Sequence, residues 1–495
     1  VGSEMCIRDR NKISCFLPYA GKEQVEKTVN SLQATGLIEE IRLITTDATL
    51  ESLPDCEILF VDMPYSSATL KAIANAAKGE YTLLYTKETT LEMGMFALER
   101  MIHILEDSSA GMVYADHYQI ADGKQSNAPV IDYQFGSLRD DFNFGSLLLF
   151  NTEKLKEAAG HMKSDYNFAG LYDLRLKLSQ HSDLVHINEY LYSEVENDTR
   201  KSGEKIFDYV DPKNRDRQIE MEQACTEHLK EIGGYLAPEF KKIEFSAGNF
   251  EYEASVIIPV RNRIRTIRDA IKSVLMQKTD FKYNLIIIDN HSTDGTTEAI
   301  DEFKDDERLI HIVPERNDLG IGGCWNVGVH HPKCGKFAVQ LDSDDVYKDE
   351  NTLAIMVRAF YEQNCAMVVG TYMMTDFNMN MIAPGIIDHK EWTPANGRNN
   401  ALRINGLGAP RAFYTPVLRE VKVPNTSYGE DYALGLNFSR QYQIGRVYDV
   451  VYLCRRWDDN SDASLDIVKM NGHNLYKDRI RTWELQARIA MNKNK

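Results

Sequence analysis

Hydrophobic residues occur along the chain in short runs, separated by mixed segments with helical periodicity. From residue 12 the apolar run ISCFLPYA precedes the segment EQVEKTVNSLQATG, which leads into a second run, EEIRLITTD. The order strand, helix, strand is typical of a parallel sheet that helices cover. The sequence therefore predicts an α/β fold.

The same pattern begins again at Ala254. There ASVIIPVRN, IRTIRDAIKSVLMQK and YNLIIIDNHSTDG follow one another, and Pro259 closes the first run as Pro18 does upstream. Near the end of each half, GLYDLRLKLS aligns with EDYALGLNFS. A repeat of this size indicates two domains of one type rather than an array of short units.

A chain of 495 residues is also too long for one ordinary core, which agrees with two domains. We predict one domain over 12–244 and a second over 245–495, joined through a charged, helical stretch. Residues 1–11 show no periodicity and are expected to be a sequence artefact outside both domains.

Composition narrows the classes of function. A formal net charge of −17 argues against nucleic acid as the main partner, because a polyphosphate surface requires a basic footprint. No apolar run approaches the roughly 20 residues that span a bilayer, so we expect a cytoplasmic protein with no transmembrane segment. Peripheral association with the inner face of the membrane stays open. The eight cysteines form no CxxC pair and are expected to be free thiols.

Polar residues follow the predicted strands of the second half. The first strand ends in Pro259, Val260 and Asn262, and the second ends in Asp289 and Asn290. The carboxyl edge of an open α/β sheet is where ligands bind. We therefore expect a ligand site at this edge.

A third strand-like run, FAVQL, leads into Asp342, Asp344 and Asp345. Carboxylates this close repel one another unless a positive charge lies between them. Before this cluster the glycine-rich stretch ERNDLGIGGCWNVGV contains Asn326, and its glycines allow the backbone to approach a ligand. After it, TSYGEDYALGL places Glu430 and Asp431 at the start of a predicted helix.

The segments SVIIPVRN, IIIDNHSTDG, NDLGIGGCWNVG, LDSDD and GEDYALG, in this order, resemble the GT-A-fold glycosyltransferases of family 2. The resemblance implies two tandem GT-A domains, each Rossmann-like with a mostly parallel sheet. It also implies an inverting enzyme that moves one sugar from a nucleotide-sugar to a hydroxyl of a saccharide or lipid-linked saccharide, in glycan or cell-envelope polysaccharide synthesis.

The resemblance also implies roles for individual residues. Asp342 and Asp344 would bind Mg²⁺ or Mn²⁺ on the donor diphosphate, and Asp431 would be the catalytic base. The residues implied to contact the donor are Pro259, Val260, Asn262, Asp289, Asn290, Asn326, Asp345 and Arg456. Because Asn290 replaces an acid of the family pattern, uridine, guanosine and thymidine donors all remain open.

The first half lacks these groups. Thr86, Lys87 and Glu88 align with the aspartate cluster, and Leu171 aligns with the expected base. We predict a degenerate copy that serves as a scaffold for the acceptor or for a partner. Two alternatives remain: a metal-independent transferase in which Lys87 holds phosphate, making the enzyme two-headed, and a sugar-nucleotide nucleotidyltransferase.

Overall fold

The computed structural model describes residues 13–51, 53–195, 215–246, 248–457, 460 and 465–494. Residues 1–11, predicted to be an artefact, lie outside this range. The described chain forms two compact units. Unit 1 contains residues 13–195, 215–234 and 466–482, and unit 2 contains residues 235–465 and 483–494.

This division differs from the predicted one at two places. The first is the boundary itself, which lies between Gly234 and Tyr235 rather than at residue 245. The second is the C-terminal helix, whose residues 466–482 group with unit 1. Asp478 explains this grouping, because its buried carboxylate forms an ion pair with Arg139 of unit 1.

Unit 1 is built on a nine-stranded sheet with the order β3-β2-β1-β4-β8-β6-β9-β5, and β7 pairs with β6. Its strands are β1 Ile13–Pro18, β2 Ile38–Thr45, β3 Glu57–Phe60, β4 Tyr81–Tyr85, β5 Leu91–Met93, β6 Met112–Ala121, β7 Lys124–Ala128, β8 Leu147–Asn151 and β9 Leu184–Val195. Its helices are α1 Lys22–Gln33, α2 Ser67–Ala76, α3 Ala97–Asp107, α4 Thr152–Gly160, α5 Gly170–Ser179 and α6 Arg215–Glu231.

The alternation of side chains along β1 divides the core of unit 1 into two layers. Ile13, Cys15 and Leu17 pack into one hydrophobic cluster, whereas Phe16 packs into the other. Successive side chains of a strand point to opposite faces, so an apolar residue at every position indicates a sheet covered on both faces. This is the reason that five of the six residues of ISCFLP are apolar, and Ser14 is buried with a hydrogen bond to Glu40.

Unit 2 repeats this topology with the order β12-β11-β10-β13-β17-β15-β18-β14, and β16 pairs with β15. Its strands are β10 Ala254–Val260, β11 Tyr283–Asp289, β12 Leu309–Ile312, β13 Phe337–Gln340, β14 Val346–Tyr347, β15 Met367–Thr375, β16 Met381–Ile387, β17 Arg411–Tyr414 and β18 Ile444–Arg455. Its helices are α7 Ile267–Leu275, α8 Thr296–Asp301, α9 Ile321–Val329, α10 Thr352–Gln363, α11 Gly397–Asn400, α12 Thr415–Val421 and α13 Glu430–Gln441. Helix α14, Ile467–Lys493, divides its residues between the two units.

The two sheets confirm the predicted α/β class. Four neighbouring strands of each sheet are parallel, and six of its nine strands run in one direction. In unit 2 the connections leave β10 toward β11 on one side and return to β13 on the other. Such a reversal opens a crevice at the carboxyl ends of the strands, where open sheets bind ligands.

Within the described ranges, no helix is both long enough and apolar enough to span a membrane.

Candidate active site

The loop after β13 carries three aspartates in different surroundings. Asp342 accepts a hydrogen bond from Gln340 Nε2 at 2.9 Å, and its own backbone N–H donates to Tyr452 Oη at 3.1 Å. Asp345 is buried and accepts the backbone N–H of Arg455 at 2.8 Å. Neighbouring strands and loops of unit 2 therefore fix two of the three carboxylates.

Asp344 lies toward the loop that follows β18. Its Oδ2 accepts hydrogen bonds from Trp457 Nε1 at 3.3 Å and from Asn460 Nδ2 at 3.1 Å. Arg263 Nε lies 3.7 Å from the same oxygen. The Asp344 carboxylate is therefore held by residues of two separate loops, one after β18 and one after β10.

Burial and mutual repulsion both act on the aspartates. Burial raises the pKa of Asp342, and repulsion from Asp344 and Asp431 adds to this, although Arg411 and Gln340 act in the opposite direction. Burial, together with repulsion from Asp344 and Asp342, also raises the pKa of Asp345 well above its usual range. A cation among these carboxylates would relieve the repulsion.

A hydrogen-bonded path joins this loop to the start of α13. Gln340 uses both ends of its amide, since Nε2 donates to Asp342 and Oε1 accepts the backbone N–H of Arg411 at 3.1 Å. Arg411 Nη1 in turn donates to Asp431 Oδ2 at 2.6 Å. The fold thus brings the aspartate cluster and the predicted base into one network, as their order in the sequence suggested.

Glu430, next to Asp431, is in a different electrostatic state. Burial raises the pKa of Glu430 to about 8, and repulsion from Asp431 contributes. Glu430 Oε2 is buried and has no hydrogen-bond partner among the described residues. Glu430 therefore holds its proton at neutral pH.

The donor set of the aspartate loop fits a hard divalent cation. Asp342 and Asp344 supply carboxylate oxygens, and their mutual repulsion favours a cation between them. No group of three or more His, Cys, Asp or Glu side chains suited to a metal occurs in the described part of the chain. Two carboxylates agree with Mg²⁺-type binding, in which substrate phosphates complete the ligand shell.

The carboxylate of Asp289, predicted to contact the donor, already accepts hydrogen bonds from other residues of the protein. Its buried carboxylate accepts the backbone N–H of Ser292 at 3.0 Å and the hydroxyl of Thr297 at 2.5 Å. Hydrogen bonds from His311 and these groups outweigh burial and hold the pKa of Asp289 well below its usual range. The structure gives Asp289 the role of shaping the loop between β11 and α8.

Asn290 is the neighbouring residue with unused hydrogen-bonding capacity. Its Nδ2 donates to the carbonyl of Leu319 at 2.8 Å, whereas Oδ1 is buried without a partner among the described residues. Asn262 has a left-handed backbone, with φ of 54°, and its Oδ1 accepts the N–H of Thr293 at 2.8 Å. Pro259 and Val260 end β10, where they pair with Ile288 and Asp289.

Asn326 also has a structural task. Its Nδ2 donates to the carbonyl of Val423 at 2.7 Å, and its Oδ1 accepts the N–H of the same residue at 3.0 Å. Both ends of the amide are therefore engaged, and the side chain gives no support to the predicted donor contact. Arg456 follows β18, where its backbone N–H donates to Thr375 at 2.8 Å.

In unit 1 the corresponding position holds an internal ion pair. Lys87 Nζ lies 2.8 Å from Glu194 Oε1, and His117 Nε2 lies 3.1 Å from the same oxygen. Burial would raise the pKa of Glu194, but His117 and Lys87 lower it to about 2. The position aligned with the aspartate cluster thus has a positive charge built into the protein.

Comparison with known proteins finds a family match within unit 2. Residues 255–412 match the model of the family "Glycosyl transferase family 2". This range begins in β10 and ends in β17, so it includes the aspartate loop and Arg411 but stops before Asp431. The C-terminal region therefore contains a family 2 glycosyltransferase domain.

Several curated proteins are similar over part of the chain. An uncharacterized glycosyltransferase of Rickettsia felis is 37% identical over 198 residues, which are 39% of this chain and 31% of that protein. A GalNAc(5)-diNAcBac-PP-undecaprenol β-1,3-glucosyltransferase of Campylobacter jejuni is 36% identical over 93 residues, 18% of this chain and 29% of that protein. The chain thus spans about a third of the length of these relatives.

Among solved structures, S. aureus TarS 1–349 in complex with UDP-GlcNAc is 20% identical, with a TM-score of 0.37. The overlay covers 48% of this chain and 72% of that one. The similarity is weak.

Proposed function

We propose that unit 2 is an inverting glycosyltransferase that moves one sugar from a nucleotide-sugar donor to a hydroxyl of a saccharide or lipid-linked saccharide. The match of residues 255–412 supports the enzyme class. The observation that carries the proposal is the path from Asp342 through Gln340 and Arg411 to Asp431. It joins the predicted donor side of the site to the predicted acceptor side.

Asp431 is the proposed general base. Inversion by one in-line displacement needs a carboxylate that takes the proton of the acceptor hydroxyl as the new bond forms. Arg411 donates to Asp431 Oδ2, which favours the ionised form of the carboxylate and fixes its orientation. Glu430 is protonated at neutral pH because of its raised pKa, so it is unsuited to this task.

Asp342 and Asp344 are the proposed ligands of Mg²⁺ or Mn²⁺. When bound, such an ion supplies Lewis-acid stabilisation of the charge on the departing nucleoside diphosphate. Trp457 and Asn460 keep the Asp344 carboxylate oriented by donating to its Oδ2. The protein thus contributes two fixed carboxylates and leaves the remaining ligands to the donor.

Asn290 is the proposed contact to the nucleobase. Its Oδ1, buried and without a partner among the described residues, is an acceptor, and uracil, thymine and guanine each present a ring N–H that can donate to it. A hydrogen bond to Asn290 Oδ1 is therefore compatible with uridine, guanosine and thymidine donors. It disfavours adenine and cytosine, which lack a ring N–H in the same position.

For unit 1 we propose a scaffold without metal-dependent transfer. The two-headed alternative needs the ammonium of Lys87 to hold phosphate, yet it is bound to the buried carboxylate of Glu194. A phosphate would have to compete with this internal partner.

The test is to incubate the full chain with a panel of nucleotide-sugars and Mn²⁺ and to measure slow donor hydrolysis. Asp344→Asn should abolish the hydrolysis and the metal-dependent part of nucleotide binding while the protein stays folded. Asp305→Asn removes an exposed carboxylate from the same unit and should leave both unchanged. Wild-type hydrolysis by Asp344→Asn would refute the site assignment.

A further inference from the structure

A second candidate site lies in unit 1. A cavity with a volume of about 380 Å³ opens beside the carboxyl end of β4. This volume is within the range of small-molecule sites, which is roughly 300–1,000 Å³. Its apolar wall includes Phe142, Phe144, Phe150, Phe168, Tyr172 and Met221.

The cavity occupies the place that the catalytic network has in unit 2. Thr86, Leu148 and Leu171 line it, and each stands where unit 2 has a charged residue. The sheet register supports this equivalence, because β4 pairs with β8 as β13 pairs with β17. Leu148 and Leu171 stand where unit 2 has the ion pair of Arg411 with Asp431. Unit 1 therefore lacks the proposed base and has an apolar surface at this place.

Arg175 is a buried cation in this wall. Its side chain is 6% exposed, and its guanidinium donates to the carbonyls of Ser137 and Arg139 and to the hydroxyl of Tyr133. The ring of Tyr172 lies 4.7 Å below the guanidinium carbon. Within the described ranges none of its partners is a carboxylate, so dipoles and ring faces alone stabilise its charge.

The charge balance of the cavity is positive. Among the described residues, Arg175 and Arg217 line it together with one carboxylate, Asp140. Arg217 is an exposed residue of α6. Two guanidinium groups against one carboxylate leave an excess of one positive charge beside an aromatic wall, which suits a ligand that is both apolar and anionic.

We propose that this cavity binds an amphiphilic anion, a molecule with an apolar carbon body and a phosphate group. The rings and leucines enclose the carbon body, and the two arginines attract the phosphate. This function is independent of sugar transfer by unit 2, so either proposal can fail without the other.

The experiment is calorimetric titration of the full chain with four probes. Decyl phosphate and 1-naphthyl phosphate test a lipid and an aryl body, and decanol and 1-naphthol are their neutral counterparts. We expect at least one phosphate to bind with a stoichiometry of one, about tenfold more tightly than its alcohol. The phosphate that binds shows whether the cavity accepts a lipid or an aryl group as the apolar part of its ligand. Equal affinity of phosphates and alcohols, or no binding of either phosphate, would overturn the proposal.

Two variants locate the binding site. Leu171→Trp places an indole in the cavity and should abolish binding of the phosphate. Arg217→Gln should weaken phosphate binding about fivefold without changing the affinity for the alcohol, because it removes an exposed charge. Lys156→Gln removes an exposed charge from α4, outside the cavity lining, and is the matched control.

Near-ultraviolet circular dichroism checks that each variant is folded. If Leu171→Trp is unfolded, Arg217→Gln decides, since its position is exposed. Wild-type affinity for the phosphate in folded Leu171→Trp, or in Arg217→Gln, contradicts the assignment of the cavity.

Discussion

Asp431 and Glu430 are adjacent acids in different surroundings. Asp431 is ion-paired with Arg411, whereas desolvation raises the pKa of Glu430 to about 8. We expect Asp431→Asn to lose something like 10² to 10⁴ in transfer rate with donor affinity unchanged. Glu430→Gln mimics the protonated side chain and should keep most of the activity. Steady-state kinetics of both variants measure this, and an equal loss in Glu430→Gln would remove the basis for choosing Asp431.

Glu194 is predicted to make unit 1 sensitive to acid. His117 and Lys87 lower the pKa of Glu194 to about 2, whereas an unfolded glutamate titrates near its ordinary value of 4.5. Above pH 4.5 the full contribution to stability is present, and it is lost as the pH falls toward 2, because the unfolded state then binds the proton more readily.

The measurement is thermal unfolding between pH 6 and pH 3 in wild type and two variants. Glu194→Gln should be less stable at pH 6 by a few kcal/mol, with the difference shrinking at low pH. Glu92→Gln changes an exposed glutamate of the same unit and should show neither effect. A difference between Glu194→Gln and wild type that does not vary with pH would contradict the assigned ion pair.

At the scale of elements, α9 depends on a glycine for its position. A Cβ on Gly322 would lie 1.8 Å from the carbonyl oxygen of Pro424, so this helix turn packs directly on backbone. Gly322→Ala should therefore destabilise the protein by about 1–3 kcal/mol. Gly472→Ala, in α14 where a Cβ meets nothing, should instead stabilise it by about 0.5–1 kcal/mol. Denaturant unfolding of the two variants tests the opposite signs.

The elements show what could be predicted from the sequence. The apolar runs that begin at Ile13 and Ala254 are fully or almost fully buried strands, as their lack of alternation indicated. The repeat of the whole pattern predicted a repeated sheet, and both sheets have one strand order. Burial on both faces leaves a strong signal in sequence because nearly every position is apolar. The exceptions, Ser14 and Ser255, are buried and hydrogen-bonded.

The site was predicted less completely. Asp342, Asp344 and Asp431 lie in motifs, but Arg411 stands alone in GAPRAFY, and only the pairing of β17 with β13 brings it beside Gln340. Asn326 was expected to contact the donor because its motif resembles that of the glycosyltransferase family. The structure shows instead that both ends of its amide bind the backbone of Val423. A donor-binding asparagine and a structural one can have the same neighbours in sequence, so the local pattern could not distinguish these two roles.

For the whole molecule, α14 carries buried charges for both units. In unit 1, Asp478 is fully buried and pairs with Arg139 at 3.2 Å and Arg481 at 2.8 Å. In unit 2, Glu484 pairs with Arg488 at 2.8 Å and with Arg440. Removing one partner of a buried ion pair typically costs about 3–5 kcal/mol, because the other charge remains buried and unpaired.

We therefore expect Asp478→Asn and Glu484→Gln to destabilise different parts of the chain. Hydrogen exchange followed by mass spectrometry should show faster exchange mainly in residues 13–195 for the first variant and mainly in residues 235–457 for the second. The two variants serve as controls for each other. The same exchange pattern in both variants would show that the two parts of α14 do not stabilise the two units separately.

Lys87 has a consequence for how the protein responds to its ionic medium. A covalently tethered ammonium beside Glu194 cannot be dialysed away, and its effective concentration is set by the chain rather than by the solution. In unit 2 the tethered cations near the aspartate loop are Arg263 and Arg411, and the proposed divalent ion must in addition exchange with the surroundings. We therefore expect a chelator to leave unit 1 unchanged, whereas unit 2 should respond to changes in the concentration of free divalent cations.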